Sequence, residues 1–407
     1  METPPCLSRR PRIAPRPQLS GAARPLRRCL GAACLLLAAL CAVLMPDSAP
    51  AGAKTPLHIG FVIGLTGPGA PEESDIWNGA LLAVEEINAS DAESVRISMT
   101  AHDTRNQPIA AKAAAKEAIA AGATLLLAPS YSSQALEAAR TAQESGIPII
   151  SVIATHPDIV AVGDNVFRVC FDDHDQARTM AAFARKVLGA ATATILTDLT
   201  SAYSLAMTAA FRERFTSLGG RVAAEIDYKM RQRGFDAEVR QAVRAGADVL
   251  FMPGYWLDGS AMVKGMHEAG LTSIPLAGDG WGSSRFEELR GNLPAHGYYT
   301  DHWAAFMADE GSRRFVQAFV QRFGRPPVAG AALAYDAVRV AARAASLAGS
   351  NRPERLRHSL GNIRDFPGVT GSMSFSARGE TRKSVHIMEI TNGKAGLLRT
   401  VNPDETF

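Results

Sequence analysis

Residues 124–133 read TLLLAPSYSS. A short apolar strand runs straight into a hydroxyl-rich turn that opens a helix. The same layout recurs at GLTGP (64–68), ISVIAT (150–155), ILTDLTSAY (195–203), LFMPGYW (250–256) and LAGDGWGSS (276–284). Each time a buried strand delivers small, hydroxyl, aromatic or acidic residues to its carboxyl end. In an open parallel sheet that edge is where small molecules are held, in the crevice outside the strand ends. The pattern sets the fold class as α/β, with doubly wound sheets.

Working outward, the alternation is regular. Strands are expected at 58–65, 95–101, 124–128 and 147–152, with helices at 75–89, from Pro108 to Gly122, and at 133–144. Ile76, Ala80, Val84 and Ile87 fall on one helical face. Pro108 suits a first helical turn and Gly122 a stop. After a strand-like VFRV (166–169) the pattern restarts. Helices at 174–187, 204–217, 236–244 and 260–269 interleave with strands at 193–196, 221–226, 247–252 and 274–277. Helices at 309–323 and 328–347, split by GRPP (324–327), and a shorter one at 353–360 follow. VTGSMSFSARGE and KSVHIMEITNGKAGLL alternate around Arg-Gly and Asn-Gly turns, which reads as β-hairpins. Strand–helix alternation means parallel sheets covered on both faces. A length of ~350 residues after the leader exceeds what one core usually serves, so two lobes are expected.

The first 53 residues read as a leader. Seven arginines (9, 10, 12, 16, 24, 27 and 28) precede an apolar run from Cys29 to Met45, and Ala51-Gly52-Ala53 supplies a small-x-small cleavage site. That order is a secretory signal peptide. The run ends in Pro46 and Asp47 and is short for a bilayer span of ~20 residues. Arg27-Arg28 also fits a twin-arginine export signal, and Cys34 or Cys41 would be the sites of lipidation in a competing lipoprotein reading. The whole chain carries 43 basic and 40 acidic residues. Without the leader's seven arginines, Glu2 and Asp47, 36 basic residues face 38 acidic ones, so the mature chain is slightly acidic. No basic patch with interleaved aromatics suggests nucleic acid. Four of the five cysteines lie in the leader, so no internal disulfide can form, and Cys170 reads as a small buried hydrophobe.

Catalytic and cofactor signatures are missing from the sequence. It holds no Walker P-loop, no G-x-S-x-G elbow and no H-E-x-x-H. Gly64 to Gly69 is glycine-rich without the G-x-G-x-x-G order, and the nine histidines lack metal-ligand spacing. No enzyme, cofactor or metal is expected. Ser132 and Ser133 open the helix at 133–144, where hydroxyls and backbone N–H groups suit a carboxylate or simply cap the helix. Thr155 follows the next strand, and Asp279 sits in Gly278-Asp279-Gly280 after another, either as an anionic ligand group or as a turn residue. Asp103 reads as a turn residue.

In register along the chain stand IGFVIGLTGP, NGALLAVEEINA, APSYSSQALEAARTAQESGIPIIS, NVFRVCFDDHDQARTMAAFA, TSAYSLAMTAAFRERFTSLGG, PGYWLDGSAMVKGMHEAG, LAGDGWGSS, AALAYDAVRVAARAA and FPGVTGSMSF. Together these resemble the periplasmic substrate-binding proteins of ABC importers, type I fold, branched-chain amino-acid subfamily, over about residues 57–400. The resemblance implies two Rossmann-like lobes joined by a three-crossing hinge, lobe 1 at 55–172 plus 302–370 and lobe 2 at 173–301 plus 371–407. It implies a periplasmic monomer that captures an amino acid or similar small molecule and hands it to a membrane permease and its ATPase. A ligand-sensing role feeding a signalling partner is the alternative. By the same resemblance Ser132 and Thr155 hold the ligand carboxylate with backbone groups of Ile153. Asp279 meets the ammonium, and Tyr203, Tyr255 and Trp281 form walls. One departure stands out. Where the family often has an aromatic and a glycine, this chain has Gly69-Ala70-Pro71-Glu72-Glu73-Ser74-Asp75. Either these acids complement a helix start, or Glu72 or Asp75 faces the cleft and favours a ligand with positive or donor character.

Overall fold

The computed structural model describes residues 54–282, 296–307, 309–403 and 405. The leader reading, with its cleavage, export and lipidation alternatives, lies outside the described residues. The chain forms β1 (Thr55–Ile63), α1 (Ala70–Ala89), β2 (Val95–Asp103), α2 (Pro108–Ala120), β3 (Leu125–Ala128), α3 (Ser132–Glu144), β4 (Ile149–Ser151), α4 (Asp158–Ala161) and β5 (Val166–Arg168). It continues through α5 (Asp173–Lys186), β6 (Thr192–Asp198), α6 (Ala202–Ser217), β7 (Arg221–Tyr228), α7 (Asp236–Ala245), β8 (Val249–Phe251), α8 (Trp256–Glu268), β9 (Ile274–Ala277) and β10 (His296–Asp301). The last part holds α9 (Glu310–Phe323), α10 (Ala329–Ala348), α11 (Pro353–Gly361), β11 (Phe366–Gly368), β12 (Gly371–Met373), β13 (Val385–Thr391) and β14 (Lys394–Val401).

The first sheet runs β2-β1-β3-β4-β5, all parallel. The second runs β14-β13-β10-β9-β8-β6-β7, parallel from β10 to β7 and antiparallel at β13 and β14. Each sheet reverses its winding once, between β1 and β3 and between β6 and β8. A crevice opens at such a switch point because the adjoining loops leave in opposite directions.

Period-two burial covers both faces of each sheet. Leu125 and Leu127 of β3 join one apolar cluster with α1 and α10, while Leu126 and Ala128 join another with α2 and α3. In the second sheet Val249 and Phe251 pack with α5 and α6, and Leu250 packs with α7 and α8. Phe315 and Phe319 of α9, the apolar face of α10, and Leu356 and Leu360 of α11 pack on the first sheet although they follow the second in sequence. The chain therefore passes between the sheets three times, after β5, after β10 and between β12 and β13. Cys170 lies fully buried at the first crossing, as its reading as a small hydrophobe expects.

Several boundaries differ from the sequence reading. The expected 69–75 loop is largely helix: α1 starts at Ala70, with Pro71 and acidic Glu72 and Glu73 in its first turn. Proline's fixed φ and acidic charge both suit a helix start, and the pattern of apolar residues alone hid that turn. α8 likewise starts at Trp256 rather than 260. β10 and the short α4 were not expected at all. Two hairpins form, β11–β12 around residues 369–370 and β13–β14 around Asn392 and Gly393, both at positive φ.

Candidate functional site

The residues that follow β1, β3, β4, β6, β8 and β9 converge on one cleft of about 690 Å³, its open mouth included. From the first sheet come Glu72, Glu73 and Ile76 of α1, Ser130, Tyr131 and Ser132 at the start of α3, and Ile153 and Thr155 after β4. Val328 and Gly330 at the start of α10 complete that side. From the second sheet come Tyr203, Tyr255, Trp256, Asp279, Gly280 and Gly282.

The first side offers hydroxyls. Ser132 and Thr155 are almost wholly buried in the wall, and Ser132 is the first residue of α3. The strand-end turn holding Thr155 is tied from beneath. Ser151 Oγ donates to the Ala154 carbonyl (2.9 Å), the Asp173 amide donates to the Thr155 carbonyl (3.0 Å), and buried Arg168 donates to the Thr155 and His156 carbonyls (3.3 and 3.2 Å). Burial pushes the Asp173 pKa well above the usual carboxylate range, with the Thr155 hydroxyl working against it.

The second side offers aromatic faces and a carboxylate. Tyr203 and Tyr255 stack with centroids 5.4 Å apart, and Tyr131 of the opposite side meets Tyr255 edge-on at 4.7 Å. The Tyr203 hydroxyl accepts from the Gly280 amide (3.2 Å), fixing the turn that carries Asp279. Gln176 of α5 donates to Asp279 Oδ1 (2.8 Å) and accepts from the Asp279 amide (3.0 Å) and the Thr300 hydroxyl (2.7 Å). His302 Nε2 lies 3.0 Å from Asp279 Oδ2, its ring stacked on Phe171. Burial lowers the His302 pKa, against the pull of Asp279. Each carboxylate oxygen has two acceptor sites and, among the described residues, one hydrogen-bond partner, so a further donor can be accepted.

Six of the eight residues expected from sequence line this cleft: Ser132, Ile153, Thr155, Tyr203, Tyr255 and Asp279. Two do not. Ser133 turns into an adjoining groove, where its hydroxyl accepts from the Ala202 amide (3.2 Å) and ties the α3 start to the α6 start. Ser133 therefore faces the α6 start and not the cleft. Trp281 is buried in the cluster beneath the second sheet, over Gly259 of α8. It is a core residue. Asp75 is not in the cleft either. It is buried and pairs with Arg325 (3.0 Å), whereas Glu72 does line the cleft. Asp103 is the turn residue expected, accepting from the Thr66 hydroxyl (2.6 Å) and the Arg105 amide (2.9 Å).

Glu73, Ser130, Tyr131 and His302 escaped the sequence reading. Ser130 and Tyr131 stood in the decisive stretch itself, beside the serines that drew attention. The His302–Asp279 pair joins positions 23 apart, beyond any motif spacing. Among the described residues no group of acidic, histidine or cysteine side chains could hold a metal ion.

Two α/β sheets, one parallel and one parallel but for its β13–β14 edge, that meet at their switch points across a polar cleft define a two-lobed ligand-binding protein. A family model for periplasmic binding proteins matches residues 56–395, and the chain belongs to that family. The Leu/Ile/Val-binding protein homolog 1 of Brucella abortus is 25% identical over 332 residues, spanning 81% of this chain and 89% of that protein. The leucine-binding protein LivK of Thermotoga maritima superposes with a TM-score of 0.82 at 27% identity, over 86% of this chain and 100% of its own. LivJ of Streptococcus pneumoniae, solved with isoleucine, gives 0.77 at 25% identity, over 85% and 98%. These relatives are binding proteins.

Proposed function

We propose that this chain is the extracytoplasmic substrate-binding protein of an ABC importer, and that it captures an amino acid between two lobes. The names its relatives carry, for leucine, isoleucine and valine, support that ligand class. The observation that carries the reading is one cleft in which hydroxyls of the first side face a carboxylate of the second. Ser132 and Thr155 present hydroxyls from the first sheet, and Asp279 presents a carboxylate from the second. A zwitterion satisfies both, and neither of its charges can be buried unpaired without large cost.

Lobe 1 is taken as 55–172 with 302–370, and lobe 2 as 173–301 with 371–407. The helices that pack on the first sheet and the strands that extend the second support that division. Ligand favours the closed form because only closure brings Ser132 and Thr155 onto the same molecule as Tyr203 and Asp279. Such differential contact is what shifts an open–closed equilibrium. Delivery to a permease and its ATPase, export by a cleaved leader and a monomeric state belong to the same proposal.

The test is a thermal-shift screen of the protein stripped of bound ligand by refolding, against amino acids, small amides and aromatic acids. A tight ligand stabilises as RT ln(1 + [L]/Kd). Stabilisation by α-amino acids, lost with their N-acetyl and amide derivatives, is expected. Stabilisation only by acids that lack an amine would overturn the amino-acid reading.

A further inference from the structure

Glu73 is the part of the cleft that an aliphatic amino acid does not explain. It sits in the first turn of α1 and is fully buried, yet neither carboxylate oxygen has a hydrogen-bond partner of ordinary geometry. The residue belongs to the wall that Ser132, Thr155 and Asp279 also line. The groups around it come from four elements: Glu72 on the same helix, the Gly64 amide after β1, Ser130 and Tyr131 after β3, and Asn106 after β2, which flanks Gly64. Among the described residues no basic side chain forms an ion pair with it. Ser130 and the Gly64 amide approach the carboxylate, but burial outweighs what they contribute. A buried carboxylate so poorly paired is unfavourable, and an aliphatic ligand side chain would seal it further from water.

Resting on the proposed amino-acid reading, we propose that Glu73 is the specificity determinant of this cleft. It selects ligands whose side chain carries a hydrogen-bond-donating nitrogen, an amide, guanidinium or ammonium group. The α-carboxylate and α-ammonium go to Ser132, Thr155 and Asp279, and the side-chain nitrogen goes to Glu73. Glu72, half-buried at the same wall, adds negative potential there. Burial pushes Glu73 up to about 7, so a cationic side chain also draws the group into its ionised form on binding.

The test is isothermal calorimetry of the ligand-stripped protein at mildly alkaline pH with L-glutamine, L-lysine, L-arginine, L-leucine, L-norleucine and benzoate. At least one nitrogenous side chain is expected to bind about tenfold or more tighter than leucine and norleucine, since a site with a buried polar group discriminates against analogues that leave it unpaired. Glu73→Gln should shrink that preference to within about threefold, and Glu73→Leu should reverse it toward norleucine. The two variants differ in how they fill the site, so a folding defect in one leaves the other to decide. Wild-type protein that binds leucine or norleucine as tightly as the nitrogenous ligands overturns the proposal and leaves the amino-acid reading intact. A preference that survives both substitutions does the same. Benzoate binding without any amino-acid binding overturns the amino-acid reading and the proposal with it.

Discussion

Asp279 is bonded through both oxygens by the protein itself, and this determines how it can serve a ligand. Gln176 and His302 take one acceptor site each and hold the carboxylate plane still. A bound ammonium then meets a group that has no orientation left to lose. Asp279→Ala should weaken the tightest amino-acid ligand by more than about tenfold, because truncating one side of a buried charge pair costs about 2–5 kcal/mol. Asp279→Asn keeps the Gln176 geometry but removes the charge, and should fall between. Calorimetry on both variants decides it: wild-type affinity in Asp279→Ala removes the residue from the site. Trp281, two residues on, shows how narrow the distinction is. A short helical turn after Gly278 keeps Asp279 at the cleft wall and sends the indole into the core.

At the scale of elements, the floor of the first lobe depends on how closely α1 approaches α10. A Cβ on Gly79 would lie 2.0 Å from the Ala331 carbonyl oxygen, a backbone atom that cannot swing aside. Gly79→Ala should therefore destabilise by about 1–3 kcal/mol through overpacking. Gly361, with nothing near its Cβ position, is the control, and its alanine variant should be neutral or slightly stabilised. Urea unfolding of the pair checks this, and equal midpoints would mean that α1 and α10 are not held as closely as described. The same helices mark where sequence legibility ended. Apolar runs bounded by glycine and proline gave nearly every strand and helix, because burial on two faces writes a continuous apolar signal. They gave the strand ends, and hence Ser132, Thr155 and Asp279 as candidates, while Tyr203 and Tyr255 came only from the family resemblance. The polar first turn of α1 carries no such signal, so Glu73 was hidden in what read as a loop. β10, with its HGYYTD run, mixes polar and aromatic residues and gave no apolar run to read. Partners such as Gln176 and His302 meet Asp279 only through the tertiary fold.

For the whole molecule, buried ionisable groups tie stability to pH in opposing ways. Burial pushes His386 down to about 4 and Lys383 down to about 8. Both bind fewer protons folded than unfolded, so their contributions to stability rise with pH between the folded and unfolded values. Glu73 runs the other way. Its value rises from 4.5 to about 7, so the folded protein binds more protons than the unfolded chain in that interval. Its contribution is fully favourable below 4.5 and is lost as pH rises through about 7. A profile of the wild type alone mixes these trends, but the difference from Glu73→Gln isolates one of them. The variant should match the wild type's stability near the low end of that window to within a constant offset. It should then gain on it by about 3 kcal/mol by the high end, because one bound proton changes stability by about 1.4 kcal/mol for each pH unit crossed. Chemical denaturation of both proteins across the window, without ligand, measures that gap. A gap that stays constant would show that Glu73 is already paired or solvated in the ligand-free protein. A gap that opens without ligand and closes when a nitrogenous amino acid is added would place the missing partner of Glu73 in the ligand.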